Sequence, residues 1–325
     1  MNFEQTNFGR HGPPMRFSTS WLPEKDRLDI WREEFGHRFV RLDFEPLDGS
    51  PLHYDTTFLN LGDIIIAKGE ISAISCARTK SMLNDGNSDI VLLIQEDEWM
   101  YAEQGRHGQS VSVGEGLVRR SDEAGRTLLR PGKFLTLNLP VEKLTDRVAD
   151  IDRLGMTVIR DGDEALGLLA GYCKAIMALG DGGSASARSV MSKHVLDLAS
   201  LAIGANRDAW VVAQNRGVRG ARRVAAISAI RRNASRPGFR IGELAQELKV
   251  SESYLRKLFA EVSQTFSSLL LEARLVMARD KLIDARFDGL QISQIAFESG
   301  FGDVSYFNRT FYRRFEMTPS DARKR

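Results

Sequence analysis

"IAFESGFGDVSYFNRTFYRRFEMTPSDARKR", residues 295–325, crowds two glycines, seven aromatic rings and six basic side chains into one short segment. Gly300 can take the positive φ of a sharp turn. Asp303 can accept from the free N–H groups that open a helix. The pattern predicts a glycine turn and then a helix, aromatic on one side and basic on the other. Tyr306, Phe307, Phe311 and Phe315 are read as core, which leaves Asn308 and Arg309 on the outer face.

The segment has an internal relative. "IGELAQELKVSESYLRKLF" at 241–259 matches "ISQIAFESGFGDVSYFNRTF" at 292–311. Ile241, Leu244, Ala245 and Val250 align with Ile292, Ile295, Ala296 and Phe301 at an offset of 51. Beyond the turn, Tyr254, Leu255, Lys257 and Phe259 align with Tyr306, Phe307, Arg309 and Phe311 at an offset of 52. One residue has been added in the turn itself, so the pattern predicts a duplicated helix-turn-helix. A small residue (Ala245, Ala296) sits where two helices cross closely, and an apolar one (Val250, Phe301) plugs the corner. Ser251 and Asp303 are the expected caps. Lys249 stands at the place of Gly300, where it carries a small steric penalty. Lys257 and Arg309 hold equivalent positions in the repeat, which favours a shared role over a merely solvated face.

Between the two copies runs "TFSSLLLEARLVMARDKLIDA". Leu271, Leu275, Ala278 and Leu282 space one amphipathic helix. About 20 residues at ~1.5 Å make a rod of roughly 30 Å, near the ~34 Å of one DNA turn.

These residues resemble the DNA-binding domain of the AraC/XylS family of bacterial transcription regulators. The likeness covers 224–325 and rests on the I-A, G-F, D-x-S-Y-F, R-x-F, R-R-F and T-P-S elements of 295–320, with "RLVMARDKLID" similar to the family's linker helix. Two positions depart from it. Glu316 stands where the family usually has glycine, and Ala322 where it usually has an aromatic. The resemblance implies an all-α domain with helix-turn-helix motifs at 241–262 and 292–316. It implies that Ser253, Arg256, Lys257, Val304, Ser305, Asn308 and Arg309 face double-stranded promoter DNA.

Working outward, charge divides the chain. Residues 219–325 carry 20 Lys+Arg against 12 Asp+Glu, net +8, and the remainder carries 25 against 31, net −6. An acidic body joined to a basic tail suits a sensor tethered to a polyanion binder. Residues 1–16, rich in Gly, Pro and Asn, read as a flexible arm. From Thr56 to Leu139 the pattern is β-like: "IIIAKGEISAISCAR", "DIVLLIQED", a hairpin-like "WMYAEQGRHGQSVSVGEG", and "RPGKFLTLNLP" with Phe134, Thr136 and Asn138 alternating against three leucines. Two helices follow. One carries the stripe Leu166, Leu169, Cys173, Ile176 and Met177. The other runs from a cap at Ser186 to about Ile203.

The expected fold is therefore α+β in two domains. An effector-binding and dimerisation domain spans 17–205, similar to the cupin-like β-barrel of AraC-type activators, and a linker at 206–223 leads to the DNA-binding domain. The resemblance implies a ligand-responsive activator with RNA polymerase and a small-molecule effector as partners, paired as a homodimer through the helix at 186–203. Neither the effector nor its pocket residues can be named from sequence. A regulator without an effector, controlled by a protein partner, is the alternative within DNA binding.

Such barrels also host metals, so a cupin-type metalloenzyme fused to a DNA-binding domain is the alternative of another class. His11, His37, His53, His107 and His194 include no H-x-H or H-x-x-x-H pair, and no G-x-S-x-G elbow or P-loop is present. A non-enzymatic protein without cofactor or metal is expected. Cys76 and Cys173 are the two cysteines, which excludes a disulfide framework and suits a reducing cytoplasm. The N-terminus lacks the pattern of a secretory signal, and no apolar run approaches a membrane span.

Overall fold

The structure, a computed structural model, describes residues 14–47, 49, 51–151, 154–178 and 184–324. The chain forms two compact units, Met1–Ala221 and Arg222–Arg325. The expected arm falls outside the described residues up to position 13. Met15 and Arg16 are not part of a loose arm, because they pair with Phe58 and Thr57 in the first strand.

In the first unit the strands are β1 (Met15–Ser18), β2 (Asp43–Pro46), β3 (Tyr54–Asn60), β4 (Ile65–Ile71), β5 (Ile74–Arg78) and β6 (Ile90–Gln95). They continue with β7 (Met100–Gln104), β8 (His107–Val111), β9 (Gly116–Arg120), β10 (Gly125–Leu129), β11 (Gly132–Leu139) and β12 (Thr157–Ile159). All pairings are antiparallel, in two sheets ordered β1-β3-β4-β11-β6-β9-β12 and β2-β5-β10-β7-β8. The expected closed barrel is therefore an open pair of sheets among the described residues. Its edges explain this. Pro46 ends β2 without an N–H to extend a ladder, and β8 is short and exposed over His107–Ser110.

Side chains from both sheets share one core, including Phe44, Cys76 and Leu129 from one and Tyr54, Phe58, Leu93 and Phe134 from the other. A π-helical segment, Trp31–Val40, follows the short α1 (Arg27–Ile30) and adds Trp31 and Phe35 to that core. Trp31 stacks on Phe35 with centroids 4.1 Å apart. Arg41 ends the segment at φ 55 and donates its N–H to the Gly36 carbonyl.

The outer face of the larger sheet is covered by helices. Leu135, Leu137 and Leu139 are fully buried there, and truncating one such leucine costs ~2–5 kcal/mol. After α2 (Val141–Leu144) come α3 (Glu164–Met177) and α4 (Ala185–Ile203). The stripe of α3 buries Leu166, Leu169, Cys173 and Ile176, while Met177 is half-buried. The cap of α4 is Ser184, not Ser186: its Oγ accepts from the Ala187 N–H at 3.2 Å. Both serines fit the cap pattern, and two residues separate the two readings.

The segment 206–223 is helical where a linker was expected. It contains α5 (Arg207–Ala213), a π turn over Gln214–Val218 and the start of α6 (Arg219–Asn233). Asp197 of α4, fully buried, accepts from Arg147 at 2.8 Å and twice from Arg216 at 2.7 Å. A Cβ on Gly217 would lie 2.6 Å from that of Asp197, and one on Gly220 would lie 2.5 Å from the His194 ring. These glycines serve close packing.

Candidate nucleic-acid interface

The second unit continues from α6 with α7 (Ile241–Glu247), α8 (Glu252–Ala260), α9 (Phe266–Leu282), α10 (Ile292–Glu298), α11 (Val304–Phe315) and α12 (Pro319–Arg323). The helix starts reproduce the repeat offsets, 51 from α7 to α10 and 52 from α8 to α11. Each turn is closed in the same way. The Val250 N–H reaches the Ala245 carbonyl at 3.0 Å and the Phe301 N–H reaches that of Ala296 at 3.1 Å. The preceding N–H groups, of Lys249 and Gly300, bond to Gln246 and Phe297. This paired pattern is a Schellman motif, and it requires a left-handed residue after the helix. Gly300 has φ 88, and Lys249 has φ 53 despite its Cβ.

The caps then set the second helices. Ser251 Oγ accepts from the Tyr254 N–H at 3.1 Å, and Asp303 accepts from that of Tyr306. Inner faces bury Leu255, Leu258 and Phe259 on α8, and Phe307 and Phe311 on α11. Two cores result, one around α7–α8 and one around α10–α12. The helix α9 serves both: Leu270 joins the first, while Leu275, Ala278 and Leu282 join the second. Its 17 residues span about 25 Å.

The outward positions are Ser253, Arg256 and Lys257 on α8 and Ser305, Asn308 and Arg309 on α11, all exposed, with Val304 half-buried. Arg256 pairs with Glu252 one turn back at 3.1 Å. Arg314 is held by Glu272 of α9 at 2.7 Å, which raises its pKa through hydrogen bonding and charge. Lys257 and Arg309 have no ion pair among the described residues, so their charge is available to a polyanion.

One aromatic was misread. Phe307 and Phe311 are fully buried and Phe315 packs against them, but Tyr306 is 44% exposed. It lines a groove of about 780 Å³ together with Arg240, Arg256, Thr265 and Arg274. Sequence reasoning missed Arg240, Arg274 and the outward Tyr306. The signal present was the alignment of Tyr306 with Tyr254, also only partly buried. No cluster of His, Cys, Asp or Glu suited to a metal occurs among the described residues. Nor is any described helix long and apolar enough to cross a membrane.

A helix-turn-helix domain family profile matches residues 244–325. Over 321 residues the chain is 26% identical to the transcriptional activator RhrA of Rhizobium meliloti (strain 1021), covering 96% of this chain and 97% of that protein. It is 38% identical over 76 residues to the transcriptional activator AggR of Escherichia coli, covering 23% of this chain and 28% of AggR. The crystal structure of the AraC-like transcriptional activator CuxR superposes with a TM-score of 0.51, covering 88% of this chain and 99% of CuxR. At 18% identity that likeness speaks for the fold alone. With the duplicated turn and the helix that joins its copies, residues 244–325 match a helix-turn-helix domain, and the chain along its length is similar to a transcriptional activator.

Proposed function

We propose that this protein is a cytoplasmic, ligand-responsive transcription activator that binds promoter DNA with α8 and α11 in successive major grooves. The observation that carries the reading is the pair of equivalent cations, Lys257 and Arg309. Both are exposed and unpaired among the described residues, on helices anchored to the two cores that α9 joins. Arg256, Asn308 and Arg309 suit hydrogen bonds to base edges, Val304 suits a thymine methyl, and Ser253, Ser305 and Lys257 suit phosphates and sugars.

The assignment as activator follows the names of the relatives, and RNA polymerase is the corresponding partner. The first unit takes the role of effector binding and subunit pairing. If α4 pairs subunits, its first half does so, because Val195–Ser200 is buried within its own unit while Ser189, Val190 and Lys193 are exposed. The test is a hydroxyl-radical footprint of the full chain on a site selected from random DNA. Two protected clusters about ten base pairs apart on one face are expected. A single cluster would mean that one motif alone reads DNA.

A further inference from the structure

Besides Arg188 on α4, the first unit buries two arginines near its strands, Arg78 and Arg119, and they are treated very differently. Arg78 donates to the carbonyls of Ser121 and Arg41 and to the Asp85 carboxylate at 2.8 Å. Its charge is neutralised and each of its nitrogens is used. Arg119, 8% exposed, has one bond, from Nη1 to the hydroxyl of Thr127 on the opposite sheet. Its Nε has no partner, and it has no ion pair with a carboxylate among the described residues. The nearby Cys76 does not supply the missing charge, because burial pushes its thiol up to about 12 and keeps it neutral. A buried cation left in this state costs stability, which argues against a purely structural role.

The surroundings of Arg119 are also unlike a sealed core. Asn60, Ile65, Asn138, Val91 and Arg119 form one row across five strands of the larger sheet. Alternation from Phe134 and Leu93, which lie in the shared core, turns this row toward the second sheet. A space enclosed between two sheets should be dry and apolar. Yet Ile65, Val91, Thr136 and Asn138 are only half-buried, and the row carries two amides. The face of β11 turned to the helices is the fully buried one, with Leu92 and Leu166 crowding Gly116. Beside the apolar core that the two sheets share, the inward face thus carries one polar, partly exposed row.

We infer that this inward-facing row is a binding site for a small organic carboxylate, with Arg119 as its counter-ion and Asn60 and Asn138 as hydrogen-bonding partners for the rest of the molecule. A carboxylate would accept from the free Nε–H and restore charge balance, as Asp85 does for Arg78. The inference rests on the reading of the first unit as the effector-sensing part, and it adds the chemical class of effector and the residue that selects it.

The experiment measures thermal unfolding of the full chain by tryptophan fluorescence, with acetate, lactate and benzoate each set against its neutral amide. At least one carboxylate should raise Tm saturably while its amide does not. Arg119→Met should abolish that rise, and without ligand it should melt no lower than wild type, since it removes an uncompensated buried charge. Arg119→Lys should keep the response with binding weakened about tenfold, because a point charge replaces a fork. Absence of any carboxylate-specific rise overturns the proposal, as does an equal rise in Arg119→Met. If amides and carboxylates shift Tm alike and alter DNA affinity, the unit still senses a ligand and only the carboxylate assignment falls. If no compound shifts Tm or DNA affinity and Arg119→Met melts lower, the ligand-responsive reading falls with it.

Discussion

Arg274 of α9 donates its Nε to the carbonyl of Ala234, at the end of α6, at 2.9 Å. Its Nη2 reaches the Arg236 carbonyl at 3.1 Å, and the turn of the second motif closes on the same place. A Cβ on Gly300 would lie 2.3 Å from the Ala234 oxygen and 2.8 Å from Arg274 Nε. The end of α6 from the first motif's core, the joining helix and the second motif's turn therefore meet at one carbonyl. Gly300 is required twice there, for its positive φ and for its lack of a side chain.

Gly300→Ala should for that reason be far worse than its φ alone suggests. The left-handed conformation costs roughly 1–2 kcal/mol for a residue with a Cβ, and the clash adds to it. Arg274→Met should leave the Ala234 carbonyl unsatisfied, at a cost of ~1–3 kcal/mol. Urea denaturation followed by helical circular dichroism measures both. A Gly300→Ala loss no larger than 1 kcal/mol would show that the contact with α6 is loose.

Besides Ser263 at φ 55, two positions of the second unit hold a left-handed residue without being glycine. Lys249 ends the first motif's helix at φ 53, and Glu316 ends α11 at φ 55 with its N–H on the Tyr312 carbonyl. Both face open solvent. Lys249→Gly and Glu316→Gly should each stabilise the domain by ~0.5–1 kcal/mol and add nearly independently. Neither should change DNA site preference. A fall in melting temperature for either variant would contradict the cap geometry.

The second unit was legible because duplication writes its own alignment: an offset of 51 that becomes 52 marks where the turn lies, and the structure places it there. What escaped had specific causes. A single stripe, Leu271, Leu275, Ala278 and Leu282, revealed α9, but its second apolar face (Leu269, Leu270, Ala273) reads as noise once one stripe is assigned. Tyr306 was placed in the core because an aromatic at helical spacing from Phe307 and Phe311 carries no sign of which side it takes. Strand positions followed from alternation and turns. Closure did not, since it depends on which edges pair, and a proline at the end of β2 decides that locally. The segment 206–223 read as a linker because composition cannot tell a flexible glycine from one pressed, like Gly217 and Gly220, against Asp197 or His194.

Asp197 supports a separate prediction in the first unit. It is fully buried between Arg147 and Arg216, and hydrogen bonding to it raises the Arg216 pKa. Asp197→Asn should destabilise by ~3–5 kcal/mol, because two guanidinium groups lose their shared counter-charge. Partial exposure of both arginines moves the expectation to the lower end of that range. All four tryptophans lie before residue 222, so their fluorescence reports this unit alone. An unchanged fluorescence midpoint would mean that the triad is dispensable.

The basic fragment should act on its own. Residues 219–325 contain both cores of the second unit and carry net +8. Expressed alone, they should fold to a helical domain and bind DNA with affinity that falls steeply with salt, by a slope of roughly −0.9 per phosphate neutralised. A fragment that is unfolded by circular dichroism, or whose binding ignores salt, would remove the basis for treating it as a DNA-binding module.

The proposal of two reading heads can be tested by selection from a random DNA library with the full chain and its variants. Arg309 has no ion pair among the described residues, whereas Arg256 is held by Glu252 and must exchange that partner for a base. Losing a bidentate contact with guanine costs ~1–3 kcal/mol and relaxes preference at one base cluster. Arg309→Ala should therefore flatten one cluster strongly. Arg256→Ala should flatten the other more weakly, because its wild-type contact is offset by the broken pair with Glu252. Glu252→Gln should sharpen the Arg256 cluster by freeing its arginine. Lys324→Ala, in the charged terminus, should at most lower affinity for all sequences alike. If both arginine variants return the complete wild-type profile, the exposed cations serve only to hold the phosphate backbone, and sequence is read elsewhere on these helices.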